Sequence, residues 1–476
     1  MTDLSNGFPS NLAFKLKQLS SFTKSIVKVV PDRPDVAMGE TTRIKLPSQG
    51  LIDFRTISIY ADASAVSGHA SYTAHFPRYW SSLISQMTLT ANGVQIANIN
   101  EYGLLYNLLH DMEASSIDMQ SKRAIERYDP SVQYTSTTIN GNTPIVASRN
   151  CSSATADDTN EKLVINNFCG VLGSLSTPCL DLGLTGDVYL DIRWNNASVL
   201  WASSDDGAQT LTGASWNLKN VRLTCSRINF GNSDYYDLIG QKLDAGEPLL
   251  VGFYDYFHSR GTSVNKGASI QMNFNFNTNS LDQCIFTCQH SDWATFKNLI
   301  LPKSTETTLA NVRTFNEVLN SDPAVYSGTA GTATLNDVCF NNSYYFKRAG
   351  NDLTYGQWTI NSVNISPYPR PLEEIFNECL TAIGNVSDDK TVSGLHAGIT
   401  NLYAWAKCYF CDILSLENIS GDGEFWRSGL DSRSSTINIA YNATFNTTNQ
   451  QSISPIIFVR STKILSIGTG RLLSVI

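Results

Sequence analysis

Residues 83–112, LISQMTLTANGVQIANINEYGLLYNLLHDM, predict a strand, a tight turn, a second strand and a helix in immediate succession. The run up to Thr90 is strand-like, and Asn92-Gly93 is a strong signal for a two-residue hairpin turn. Asn100 is the predicted N-cap of a helix whose apolar residues recur at spacings of three or four. These apolar residues are Leu105, Leu108, Leu109 and Met112.

The same order of elements recurs about 270 residues later in the chain. Residues 358–365 predict strand structure, and Pro371 lies near the first position of a helix that Gly384 would end. The apolar residues of this helix are Leu372, Ile375, Phe376, Cys379, Leu380 and Ile383. A long polar loop and two or three strands follow each helix. The sequence therefore predicts two similar β-rich units in tandem.

Strand-like segments dominate the rest of the chain. They are residues 52–61, 188–194, 218–230, 249–258, 269–277, 283–289, 298–301, 402–413, 436–445 and 456–467. A parallel α/β fold is excluded, because it needs a helix between most of its strands. Many short strands joined by long polar loops favour an all-β protein built of sandwiches or jelly rolls.

The composition excludes several classes of function. Only 16% of the residues are charged, against about 25% in an average soluble protein, and the net charge is −8. Specific nucleic-acid binding is not predicted, because phosphate contacts need clustered Lys and Arg. No apolar run approaches the roughly 18 residues of a membrane span, and no secretory leader is recognisable at the start.

The ten cysteines predict buried thiols rather than a disulfide scaffold, because they show no repeated spacing. Cys408 and Cys411 have C-x-x-C spacing, but a zinc site needs a second pair and the surrounding run is apolar. Cys284, Cys288 and His290 would share one face of a strand, where core positions are the expected role. We therefore predict no metal site and no cofactor.

No catalytic constellation is predicted either. The acidic pairs that could serve a glycosidase are Glu373-Glu374, Asp388-Asp389 and Asp422 with Glu424. The first pair suits the first turn of a helix, where carboxylates favour the positive end of the dipole, and the others lie in polar loops. Trp426 could stack on a sugar, although a packed loop tip is the simpler interpretation. The sequence predicts a protein that is not an enzyme.

The first 30 residues predict an amphipathic helix, ended by Pro31 and Pro34. Its apolar stripe is Leu12, Leu16, Leu19, Phe22, Ile26 and Val30, with Lys17, Lys24 and Lys28 opposite. We interpret this stripe as a candidate assembly arm that packs against neighbouring subunits. A helix on an internal lipid membrane and a plain core helix stay open as alternatives. As a separate arm, it should be removable without unfolding the rest.

Several segments together resemble the double jelly-roll major capsid proteins of tailless icosahedral DNA viruses, the virophage, polinton-like and adenovirus-like lineage. These segments are residues 76–96 with 100–109, residues 218–230 leading into 235–239 and 248–256, residues 279–288, and residues 365–370 before their helix. The resemblance implies two tandem eight-stranded antiparallel jelly rolls with short helices and long loops. The expected division is an N-terminal arm over 1–39, a first jelly roll over 40–235 and a second over 236–476.

The resemblance also implies a function. The chain would be a major capsid protein that self-assembles as pseudo-hexameric homotrimers into the icosahedral shell of a virion, inside a host cell. Its expected partners are neighbouring capsomers, minor capsid and penton proteins and, through the arm, an internal membrane. The alternative is a β-sandwich carbohydrate-binding protein or glycosidase. A receptor-binding spike is less favoured, because fibrous repeats are not seen.

Overall fold

A computed structural model gives the fold of most of the chain. It describes residues 22–66, 68, 73–77, 79–113, 134–136, 142–144, 161–204, 213–231, 234–264, 269–290, 293–294, 298–300, 345–346, 348, 350, 353–382, 402, 405–406, 409–417, 429–433, 436–445 and 453–476.

The first half contains fourteen of the described strands and most of the short helices. The strands are β1 Phe22–Val29, β2 Val36–Ala37, β3 Thr41–Lys45, β4 Leu51–Val66, β5 Thr73–His75, β6 Ile84–Ala91, β7 Val94–Asn100, β8 Tyr134–Ser136, β9 Asn142–Pro144, β10 Glu161–Ile165, β11 Cys179–Asp181, β12 Val188–Trp194, β13 Trp201–Ser204 and β14 Ser215–Phe230. The helices are α1 Tyr102–Glu113, α2 Val171–Ser174 and α3 Leu182–Thr185, with 3₁₀ turns at Trp80–Leu83 and Ala197–Val199.

Helix α4 (Asp234–Asp244) leads into the second half. The strands there are β15 Leu249–Arg260, β16 Ile270–Phe276, β17 Leu281–His290, β18 Asn298–Ile300, β19 Leu353–Ile360, β20 Val363–Asn364, β21 Asp412–Ser415, β22 Ile437–Phe445, β23 Ile453–Ile467 and β24 Leu473–Val475. Helix α5 is Leu372–Ala382, and a 3₁₀ turn spans Thr469–Arg471.

Four antiparallel sheets form two jelly rolls with the same strand order. The first roll has one sheet in the order β1-β14-β4-β10 and a second in the order β3-β12-β6-β7. The second roll repeats this plan as β15-β23-β17-β21 and β16-β22-β19-β20. Each strand in these four orders thus has a counterpart in the other roll: β1 corresponds to β15 and β7 to β20, and helix α1 corresponds to α5. The predicted fold of two tandem eight-stranded antiparallel jelly rolls is confirmed.

The strands bury alternate residues because each sheet has one face toward a core. In β12 Val188, Leu190, Ile192 and Trp194 are buried, whereas the residues between them are half-buried or exposed. The Trp194 indole donates a hydrogen bond to the Thr42 hydroxyl at 2.7 Å, which satisfies its polar atom in the first core. In the second core the rings of Phe286 and Tyr441 stack with centroids 3.8 Å apart.

The hairpin and the two predicted helices are present. Asn92 and Gly93 have φ values of 47° and 81°, as a type I′ turn requires. Strand β7 runs through Asn100, so the N-cap prediction there is wrong: Glu101, with φ 53°, makes the turn into α1. The four apolar residues predicted for α1 are buried, as are Ile375 and Cys379 of α5. Gly384 lies outside the described residues.

The prediction of a helix over the first 30 residues is wrong for the residues there that the structure describes. Residues 22–29 form β1, which pairs along its whole length with β14, from Phe22 opposite Phe230 to Val29 opposite Leu223. The β-branched residues here favour a strand, and the partner strand satisfies its backbone. Residues 22–29 therefore go with the first jelly roll and not with a separate arm. Leu12, Leu16 and Leu19 lie outside the described residues, and the boundaries at 40 and 236 stay predictions.

Two further differences concern helices. Helix α4, between the rolls, was not predicted, although its buried residues Tyr235, Ile239 and Leu243 have helical spacing. The strand predicted over 402–413 is wrong in its first part, because Leu402, Trp405 and Ala406 are helical and only Asp412–Ser415 forms a strand.

Candidate assembly surfaces

The first jelly roll covers one edge of strand β15 in the second. The backbone N–H of Ser176 donates to the Gly252 carbonyl at 2.8 Å, and the Gly252 N–H donates to the Ser176 hydroxyl oxygen at 3.0 Å. The Tyr254 N–H donates to the Ser174 hydroxyl oxygen at 2.8 Å. Strand β7 also lies against β15. The backbone groups that β15 does not share with β23 are therefore partly satisfied by the first roll.

Glu101 links the two rolls at the turn between β7 and α1. One carboxylate oxygen forms an ion pair with Arg260 at the end of β15, at 3.1 Å. The other accepts a hydrogen bond of 2.7 Å from the Tyr345 hydroxyl, and burial raises the pKa of Tyr345 well above its usual value. Glu101 adopts a positive φ of 53°, a conformation that costs a non-glycine residue energy. This strained residue thus holds two residues of the second roll.

A buried ion pair makes a second link. The Arg348 guanidinium contacts the Asp111 carboxylate of α1 at 2.8 Å, and both side chains are fully buried. The Tyr79 hydroxyl donates to the same carboxylate at 3.0 Å. Burying two charges is costly, so a pair of this kind stabilises little, but removing one partner is strongly destabilising. The pair therefore favours one relative position of the two rolls.

Strand β1, the counterpart of β15, has no comparable cover among the described residues. Strand β1 pairs with β14 on one edge, and no described strand pairs with its other edge. Phe22 and Ile26 of β1 and Val30 just after it are exposed, Ile26 to 80%, and together they are the described part of the candidate assembly stripe. Sequence reasoning thus identified exposed apolar residues here but assigned them to the wrong secondary structure.

Strand β20, the counterpart of β7, is also exposed. We call β20 and the bends that follow it, residues 363–369, the β20 segment. Val363 is 66% exposed, whereas Ile96 and Ile99 of β7 are buried. The other exposed large apolar residues of the β20 segment are Ile365 and Tyr368. The sequence did not distinguish β20 from β7, because the difference depends on what packs against each strand.

The acidic residues considered for catalysis are not brought together. Glu373 and Glu374 lie in the first turn of α5, as predicted, and the Tyr368 hydroxyl donates to Glu374 at 3.0 Å. Asp388, Asp389, Asp422, Glu424 and Trp426 lie outside the described residues. Among the residues that the structure does describe, no three His, Cys, Asp or Glu side chains are grouped as metal ligands. The described helices include none long and apolar enough to cross a membrane.

A buried carboxylate in the second core was missed by sequence reasoning. Asp412 accepts hydrogen bonds from the Trp358 indole at 3.1 Å and the Tyr441 hydroxyl at 2.7 Å, and contacts the Arg370 guanidinium at 2.6 Å. Burial raises the pKa of Asp412, and these three partners oppose that rise. Nothing in the sequence marks this residue, because its partners are distant in the chain. Its role is to connect β19, β21 and β22 with the start of α5.

Six described cysteines are free thiols in buried positions: Cys179, Cys225, Cys284, Cys288, Cys379 and Cys411. Burial raises the pKa of Cys179 to about 12 and that of Cys225 to about 11. Cys408 and His290 cannot be compared with their predicted roles, because the structure does not describe these side chains. The Cys379 thiol donates to the Cys411 carbonyl at 3.1 Å, a core contact.

We expect these thiols to be inert in the native protein and reactive once it unfolds. At pH 8 a thiol with a pKa of about 11 or 12 is almost wholly protonated, and only the thiolate attacks a disulfide reagent. Titration with Ellman's reagent should be slow for the folded chain and should detect most of the ten cysteines after denaturation without reductant. Detection of almost none in the denatured chain would instead indicate disulfides.

Comparison with known proteins shows the fold. The sequence matches no family model and no curated protein. Among solved structures, the chain is similar to the PBCV-1 protein VP54 fitted into a reconstruction of the virophage Sputnik, with a TM-score of 0.56 and 12% identity over 95% of this chain and 96% of that one. It is similar to the PBCV-1 virus capsid model, with a TM-score of 0.53 and 12% identity over 95% and 96% of the two chains. The Faustovirus major capsid protein gives a TM-score of 0.54 and 10% identity over 94% and 91%. Along nearly its whole length, this chain has the double jelly-roll fold of viral major capsid proteins.

Proposed function

We propose that this chain is a major capsid protein, which assembles as pseudo-hexameric trimers into the icosahedral shell of a DNA virus. The observation that carries the proposal is the complete pair of jelly rolls, matched over 95% of this chain and 96% of a similar viral chain. The proposed location is the capsid shell of the virion.

The uncovered apolar strands support an assembling protein. A monomer seldom exposes contiguous apolar surface, and such surface commonly marks contacts with other proteins. Besides β1 and the β20 segment, Leu250, Leu472 and Ile476 are exposed where β15 and β24 flank the end of β23. We assign β1 and the β20 segment to contacts within the trimer, and the surface of Leu250, Leu472 and Ile476 to contacts with neighbouring capsomers. Minor capsid proteins, penton proteins and an internal membrane are further proposed partners, the last through the N-terminal residues.

The alternative, a carbohydrate-binding protein or glycosidase, gains no support. A glycosidase needs two carboxylates facing one another across a cleft. Glu373 and Glu374 are adjacent on one helix, and Glu374 is already bonded to Tyr368. We propose that the chain acts through geometry and carries out no reaction.

Light scattering and negative-stain microscopy of the purified protein test this function. We expect a particle of three chains with a hexagon-like outline, because each chain would contribute two similar rolls to a ring. A single chain of 52.3 kDa at micromolar concentration would contradict the proposal. Binding to a glycan array with a monomeric particle would favour the carbohydrate-binding alternative.

A further inference from the structure

Within one chain, β7 of the first roll packs against β15 of the second roll. Their counterparts, β20 in the second roll and β1 in the first, have no such contact among the described residues. Strand β7 and residues 174–176 of the first roll contact β15 of the second. The counterpart of β7 is β20, and the counterpart of β15 is β1. Among the described residues, neither β20 nor β1 is paired with or covered by the other roll, and both expose apolar residues on a face that their counterparts bury.

We propose that β1 of one copy packs against the β20 segment of a second copy, repeating between chains the contact that joins β7 to β15 within the chain. The inference rests on the proposed function and names the surface through which its trimer forms. The partner is a second copy of this chain because the intact contact already shows which elements of this fold fit together.

The chemistry of the two strands is consistent with side-chain packing. All nine residues from Asn361 to Pro369 are uncharged, and all but Ser366 are exposed. Pro367 and Pro369 lack backbone N–H groups, so this segment is poorly suited to adding a strand to an open sheet edge. On the outward face of β1, the apolar residues Phe22 and Ile26 alternate with Lys24 and Lys28. Lysine at an open edge disfavours indiscriminate strand pairing, and its long stem can lie along apolar surface when the edge is covered.

The contact joins two different surfaces, so it has a direction. Such a head-to-tail contact leaves β1 free on one end copy and the β20 segment free on the other until a ring closes. With two rolls in each chain, a ring of three chains contains six rolls. The same kind of contact joins every neighbouring pair of rolls, alternately within a chain and between two chains.

Two substitutions and one control test the surface. Ile26→Asp on β1 and Val363→Asp on β20 each place a charge on an outward-facing side chain, 80% and 66% exposed, so the folded monomer should tolerate them. Each should convert the trimer to monomers in light scattering at micromolar concentration, with the far-UV circular dichroism of the wild type. Leu472→Asp, at a residue 73% exposed but outside both strands, should remain trimeric.

Crosslinking tests the direction of the contact. A short bismaleimide should link chains that carry both Ile26→Cys and Val363→Cys into covalent dimers and trimers, whereas chains with either change alone should show no more links than the wild type. Links between chains that carry only Ile26→Cys would show a symmetric contact and overturn the inference. So would trimers that persist in both aspartate variants, or a Leu472→Asp variant that is monomeric. A wild-type chain that never forms trimers would instead refute the proposed function.

Discussion

Replacing Asp412 with alanine is expected to lower the free energy of unfolding by about 3–5 kcal/mol, the cost of leaving one member of a buried ion pair alone. Arg370 would lose the carboxylate that neutralises it, and would keep only Glu378, which is half exposed. The indole of Trp358 and the hydroxyl of Tyr441 would lose their acceptor in the same core. Urea unfolding followed by tryptophan fluorescence measures the change.

The matched control is Asp431→Ala. Asp431 also forms an ion pair with an arginine, Arg433, at 2.6 Å, but both side chains are exposed. The arginine holds the pKa of Asp431 near 2, yet solvent screens the pair, so its loss should leave the urea midpoint almost unchanged. Equal, small effects of the two substitutions would show that the Asp412 cluster contributes little to stability.

Deleting residues 1–29 is expected to be still more damaging, contrary to the expectation that the N-terminal residues form a separable arm. The deletion removes all of β1, which pairs with eight successive residues of β14. Residues 223–230 of β14 would lie at an open sheet edge, and the buried residues Leu223 and Cys225 of that strand would lose their neighbour on that side. We expect aggregation, or a clearly lower urea midpoint, for this truncated chain.

The control for this deletion removes only residues 1–21 and leaves β1 in place. That chain should retain the urea midpoint and the circular dichroism of the wild type, so that any loss in the longer deletion belongs to the strand. A deletion of residues 1–29 that folds and unfolds like the wild type would show that β1 is dispensable, and the interpretation of residues 22–29 as part of the first roll would be wrong.

Much of the fold could be predicted because its signals are local. The turn at Asn92-Gly93, the apolar spacing of α1 and the alternation of β12 all depend on residues close together in the chain. Residues 22–30 show the limit of such reasoning. Phe22, Ile26 and Val30 are spaced by four, which suits a helix, and by an even number, which equally suits one face of a strand. The deciding partner is β14, about 200 residues away, and pairing at that distance leaves no mark on local spacing.

The contacts between the rolls could not be predicted for the same reason. Glu101 lies far in sequence from Arg260 and Tyr345, and a single glutamate between a strand and a helix looks like any exposed residue. The difference between β20 and β7 is also invisible in their sequences, since both are short strands after a turn. What differs is that β7 packs against the other roll, whereas β20 has no such neighbour in the part of the chain that the structure describes.

The links made by Glu101 and Asp111 have a consequence for curvature. The buried Asp111–Arg348 ion pair and the two contacts of Glu101 both oppose bending between the rolls. We therefore expect one chain to behave as a rigid unit. In a closed shell, flat faces and sharply bent edges need different angles between adjoining units. In the proposed shell, a rigid chain would leave those angles to the contacts between trimers.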